Sequence, residues 1–245
     1  MKKKVDSFSA RRDFLKKTGI LVAGASLIYP KSIFADTKST QPATQKTEAR
    51  EEEIPPTEDL MREHAVLNRI LLIYDEIILR LRTGKDFSPQ TLKLAAETIR
   101  NFIEDYHERL EEDYLFPRFK KAGKLDELVE VLLQQHQAGR QLTAYIKDHA
   151  TLAVLKNPSD REKLEEHIRL FIRMYRPHEA REDTVLFPAL RSIVSPNEFD
   201  SLGEEFEKKE QKLFGQDGFE KIVAKVANLE KTLGIYDLSQ FTPKL

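Results

Sequence analysis

His107 and Glu111 stand four residues apart, and so do His178 and Glu182. Four residues along a helix is one turn and about 40° around it, so both side chains of each pair reach one point. The same three residues follow each pair, as Leu115-Phe116-Pro117 and Leu186-Phe187-Pro188. A further histidine precedes each pair. His64 and His136 are 72 residues apart, and His107 and His178 are 71 apart. A lone His-xxx-Glu is usually a surface ion pair. Two copies at matched separations call for ligands supplied from two sides. Imidazole nitrogen with carboxylate oxygen is the ligand set of iron, manganese or zinc. Four histidines and two carboxylates in one core are costly without a cation, because buried charge needs a partner. With divalent metals they make a coherent two-metal site. Asp183 follows Glu182, five residues from His178. His149 and His167 have no repeat partner and read as an end-of-helix surface group and a structural residue.

Those residues need helices to hold them. Leu60, Leu67, Ile70, Leu71, Tyr74, Ile77, Ile78 and Leu81 recur at spacings of three and four from Thr57 onward. Breaks at 82–89 and 156–160 and the same periodicity elsewhere predict helices near 89–116, 125–150 and 160–190. Strand signals are nearly absent. The expected fold is all-α, an antiparallel up-down-up-down four-helix bundle over residues 57–194 made of one helical pair used twice. Pro117 and Pro188 read as helix terminators, because proline cannot continue the backbone ladder. The Leu-Phe pair before each reads as core packing that also walls water from the site. A C-terminal helical extension, 195–245, has two amphipathic segments that pack back on the bundle and an extended tail from Tyr236.

The 245 residues carry a formal net charge of −1, with both signs interspersed, which gives no basic face for nucleic acid. The absence of cysteine excludes thiolate metal sites, disulfides and cysteine nucleophiles. Residues 1–35 have the order of a signal peptide: Lys2, Lys3, Lys4, Arg11 and Arg12, an apolar stretch over 18–29, then Ala35 as a cleavage residue. The run from Ala10 to Lys16 is similar to a twin-arginine export signal, departing only at the residue before the arginine pair. That implies a periplasmic or exported protein that leaves the cytoplasm folded, with membrane attachment only if the signal stays uncleaved. Residues 36–56 are polar, without apolar periodicity, and read as a disordered linker.

Taken together, His64, His107-Glu108-Arg109-Leu110-Glu111, His136, His178-Glu179-Ala180-Arg181-Glu182-Asp183 and both Leu-Phe-Pro segments resemble the hemerythrin HHE cation-binding family. The resemblance implies a four-helix bundle with a non-haem di-iron centre held by the four histidines. It implies that Glu111 bridges the metals from the second helix, and either Glu182 or Asp183 from the fourth. Oxygen carriers of the family have His-xxx-His on the third helix. Here Arg140 replaces the second histidine, and arginine stays protonated and cannot ligate. Either Glu108 takes the histidine's place, in a His-Glu-x-x-Glu segment that resembles the iron-sensing domains of eukaryotic F-box proteins, or that site is open or binds weakly. The implied function is binding a small diatomic ligand, oxygen or nitric oxide, for sensing, scavenging or stress protection. Ferroxidase or peroxidase chemistry and iron storage are the alternatives.

Overall fold

The computed structural model describes residues 54–244. The expected signal peptide and nearly all of the linker lie outside them. All regular structure among the described residues is helical. Helix α1 is Pro56–Thr83. Helix α2 spans 89–122, α3 is Asp126–His149, α4 is the short Leu152–Lys156, and α5 spans 158–190. Helices α6, Pro196–Phe214, and α7, Gly218–Leu233, follow. The residues from Tyr236, expected to be extended, include a 3₁₀ turn at Leu238–Phe241.

Local chemistry sets these limits. Helix α1 opens with proline at its first turn beside Glu58 and Asp59, and closes with Arg80 and Arg82 ahead of Gly84. Proline's fixed φ suits the first turn, and the charges complement the helix dipole. Gly84 sits at φ 71, a left-handed stop that costs a glycine little. The Asn157 side chain caps α5 by accepting from the N–H groups of Ser159 and Asp160, and Ser195 caps α6 by accepting from Glu198 N–H.

The two Leu-Phe-Pro segments do not end their helices. Helix α2 runs on through Pro117 to Ala122 and α5 through Pro188 to Leu190. In both, a π-helical segment comes first, Glu111–Leu115 and Glu182–Leu186. The Phe116 N–H reaches back five residues to Glu111 O, and the Phe187 N–H to Glu182 O. That wide turn opens the ladder where the proline's missing donor and ring would otherwise break it. A third π segment, Ile99–His107, lies earlier in α2 and ends on His107.

Helix α1 packs against α2 and α5, and α3 packs against the same two, so the long helices enclose one core. Leu60, Ile70, Tyr74, Phe102, Leu132, Ile168 and Phe171 are buried in it. Helices α6 and α7 lie on α1, and α7 also touches α2. Phe214 meets Phe102 and Tyr106 edge-on at 5.5 and 5.3 Å, and Arg69 donates two hydrogen bonds to Glu230. No helix among the described residues is long and apolar enough to cross a membrane.

Candidate metal centre

His64 on α1, His107 and Glu111 on α2, His136 on α3, and His178 and Glu182 on α5 are all buried. Ligand atoms of His64, His107 and Glu111 lie within 4.8 Å of one another, and so do those of His136, His178 and Glu182. The carboxylates link the two groups. Glu111 stands 3.8 Å from His107 Nε2 through one oxygen and 3.4 Å from His136 Nε2 through the other. Glu182 Oε2 stands 3.2 Å from His178 Nε2 and 3.4 Å from His64 Nε2.

Each histidine turns the same way because an outer acceptor holds its other nitrogen. Nδ1 of His64 meets Asp183 at 2.7 Å, and Nδ1 of His107 meets Glu63 at 2.7 Å. Nδ1 of His136 meets Glu112 at 3.0 Å, and Nδ1 of His178 meets the Gln135 carbonyl oxygen at 2.8 Å. An oxygen acceptor there places the proton on Nδ1 and leaves the Nε2 lone pair facing inward. Phenylalanine rings fix the tilt. Phe187 stacks on His64 at 5.4 Å and Phe116 on His136 at 5.6 Å, each reaching from one repeat to the other.

Of the two carboxylates left open on the fourth long helix, Glu182 faces the centre. Asp183, expected as the alternative bridge, instead reaches across to the outer nitrogen of His64. Glu108, expected as a substitute ligand, accepts from the Tyr175 hydroxyl at 2.6 Å and lies 2.8 Å from Arg140. Arg140 also bonds Glu112 at 2.7 Å, so its guanidinium already occupies the gap between those two carboxylates. Gly139 gives Tyr175 room, since a Cβ there would fall 2.0 Å from the hydroxyl. His149 and His167 are remote from the centre and sandwich the Tyr145 ring at 3.8 and 3.5 Å.

Without a cation the inner groups are frustrated. Neither oxygen of Glu111 or Glu182, nor Nε2 of His136, makes a well-formed hydrogen bond, though all are buried. Burial and the facing Glu182 carboxylate push Glu111 well above the usual carboxylate range. Burial works the same way on Glu182, but His178 and His64 outweigh it and hold that group well below the range. Burial opposes charge on His64, yet Asp183 and Glu182 carry it up to about 10. Burial and the charge on His64 lower His107. The two Nε2 atoms of His64 and His107 are 3.0 Å apart, a spacing that two lone pairs tolerate only with a proton or a cation between them. A proton on His64 fills that role in the metal-free chain. Divalent metals would satisfy all these donors at once, so the residues fit the ions that their types suggest.

The inner histidines and glutamates were legible from spacing. Glu63, Gln135, Glu112 and Tyr175 were not, nor was the stacking of Phe116 and Phe187. A signal existed: shifting each residue by 71 or 72 places pairs Glu63 with Gln135, Glu112 with Asp183, and Phe116 with Phe187.

Comparison with known proteins agrees with the geometry. The model of the family described as the hemerythrin HHE cation binding domain matches residues 56–190. An uncharacterized protein of Mycobacterium tuberculosis is 52% identical over 195 residues, covering 79% of this chain and 76% of that protein. An uncharacterized protein of Mycobacterium bovis matches to the same extent. No solved structure matches the chain.

Proposed function

The chain belongs to the hemerythrin HHE cation-binding domain family, and from that premise we propose that it is a periplasmic non-haem di-iron protein. It binds oxygen or nitric oxide, in sensing, scavenging or stress protection. Helices α1, α2, α3 and α5 form the family's antiparallel up-down-up-down bundle. Two irons would be held by His64, His107, His136 and His178, with Glu111 and Glu182 as the carboxylates between the two pairs. Manganese or zinc would suit the same donors, but iron alone of the three suits the small-ligand chemistry.

One observation carries this reading. Six buried side chains from four helices bring their ligand atoms together in two groups of three, and among them Glu111, Glu182 and Nε2 of His136 find no well-formed hydrogen-bond partner. A bound iron pair supplies electrons to a small ligand. The protein supplies everything else. Asp183, Glu63, Glu112 and Gln135 hold the four rings in the ligating tautomer. Phe116, Phe187, Leu115 and Leu186 are buried and keep bulk water away. Arg140 stands where the family's oxygen carriers have a further histidine, so two histidines would serve each iron. Arg11 and Arg12, in their signal-like setting, support export of the folded, loaded protein.

The test is ligand binding by the reduced, iron-loaded chain. Stoichiometric uptake of nitric oxide or oxygen, seen as a change in visible absorption, is expected. An absorption unmoved by either ligand would remove the binding function. Steady turnover of peroxide or ferrous iron, lost in Glu111→Ala, would place the protein among enzymes instead.

A further inference from the structure

The two histidine pairs differ in what stands behind them. His107 Nδ1 donates to the carboxylate of Glu63, which is fully buried, whereas His178 Nδ1 donates to the amide oxygen of Gln135. Glu63 and Gln135 are counterparts, 72 residues apart. The second pair of acceptors widens the difference. Asp183 backs His64, and Glu112 backs His136 while also accepting from Arg140 at 2.7 Å. The guanidinium draws on the same Glu112 oxygen that His136 uses, which weakens the push that this carboxylate gives its ring. One half of the centre therefore has two carboxylates behind its histidines. The other half has one carboxylate shared with a cation, and one neutral amide.

A carboxylate accepting from Nδ1 makes Nε2 a more basic ligand, and such outer partners change metal affinity by about 10–100-fold. Glu63 is shielded from solvent, so its effect is not screened away. The inner side chains are matched in kind, two histidines and one glutamate to each half, so the difference in residue type lies in the outer layer.

Resting on the di-metal reading above, we propose that the centre is polarised by its outer groups. The His64/His107 half takes the first metal and holds the more oxidised ion. The His136/His178 half is filled second and is the more easily vacated and reduced. Glu63 and Gln135 are the positioning residues that set this order, though neither touches metal.

The experiment is an anaerobic titration of the metal-free full chain with cobalt(II), followed by visible absorption and calorimetry. Two resolved steps are expected, the first about 10-fold or more tighter. His107→Ala should remove the tight step, and His178→Ala the weak one. Glu63→Gln should loosen the first step by about 10-fold or more and leave the second in place. Gln135→Glu should tighten the second and close the gap. Far-UV circular dichroism checks that each variant is folded. Two cobalt ions entering wild type in one unresolved step, or Glu63→Gln and Gln135→Glu moving the same step, would overturn the polarity while leaving the di-metal centre intact. A chain that takes up no metal in any form would overturn both.

Discussion

Asn68 on α1 and Arg140 on α3 are counterparts in the two repeats, and they show how far the halves have diverged. Asn68 donates to Glu179 at 3.0 Å, and Arg140 lies 2.8 Å from Glu108, which is the counterpart of Glu179. The same geometry is kept with an amide on one side and a full positive charge on the other. The innermost positions have not diverged: histidine faces histidine, Glu111 faces Glu182, and each repeat lends its phenylalanine to the other's ring. Change has collected one layer out, among the residues that surround the inner histidines and glutamates. An inner shell needs donors of one kind in one geometry. The outer layer tolerates any acceptor that keeps the ring in place, and so can tune the two halves separately.

The strongest way to break this comparison is to remove an inner carboxylate. Glu111→Ala and Glu182→Ala should each drop bound metal from two ions per chain to one or fewer, measured by elemental analysis. If one variant keeps both ions, the inner symmetry is false. Next in size are the phenylalanines. Phe116→Ala and Phe187→Ala should each cost about 3–5 kcal/mol of unfolding free energy in denaturant melts. Each should also loosen the histidine under its ring, His136 and His64 respectively, so a normal metal affinity in either variant would deny the stacking a role.

Gly139 tests the asymmetric layer. Its counterpart in the first repeat is Leu67, which carries a full side chain, whereas a Cβ at 139 would collide with Tyr175. Gly139→Ala should cost about 1–3 kcal/mol by overpacking and release Glu108 from the Tyr175 hydroxyl. Tyr175→Phe removes only that hydrogen bond and should cost about 1 kcal/mol. Equal losses in the two variants would mean that Tyr175 does not press on Gly139.

The mildest effect is on pH. Burial raises Glu179 to about 7 against the charge on His64, and Glu108 to about 8 against the Tyr175 hydroxyl and then Arg140. A carboxyl whose folded pKa is raised contributes stability that is complete below its unfolded value and lost as pH rises through the folded one. The melting temperature of the metal-free chain should therefore fall as pH climbs from the ordinary carboxyl value of 4.5, the Glu179 part of the fall ending at about 7 and the Glu108 part at about 8. Glu179→Gln should flatten the lower part of that fall and Glu108→Gln the upper part. A profile unchanged in both variants would show that neither carboxyl is buried as described.

Much of this was readable in advance, and particular residues show where reading stopped. Period and spacing located the long helices and the cluster of inner histidines and glutamates, because a helix fixes which residues four apart share a face. Spacing favoured Glu182, four residues from His178, and kept Asp183 open only for a distorted helix. Asp183 finds its partner on another helix, and the turn between the two residues opens a π segment rather than an ideal α turn. Pro117 misled for the same reason: a rule for regular helices predicts a stop where a wide turn makes room. The outer acceptors were missed because glutamate and glutamine on a helix give no hydropathy signal. Only the repeat offset marks them.

The central claim is a pair of metals held between two histidine pairs. It is tested most directly by loading the reduced full chain with iron without oxygen, removing the excess, and counting iron per chain before and after substituting Glu111. Two irons in wild type, and one or fewer in Glu111→Ala, is the predicted result. Less than one iron in wild type would contradict the account and leave the buried histidines as a proton-filled core.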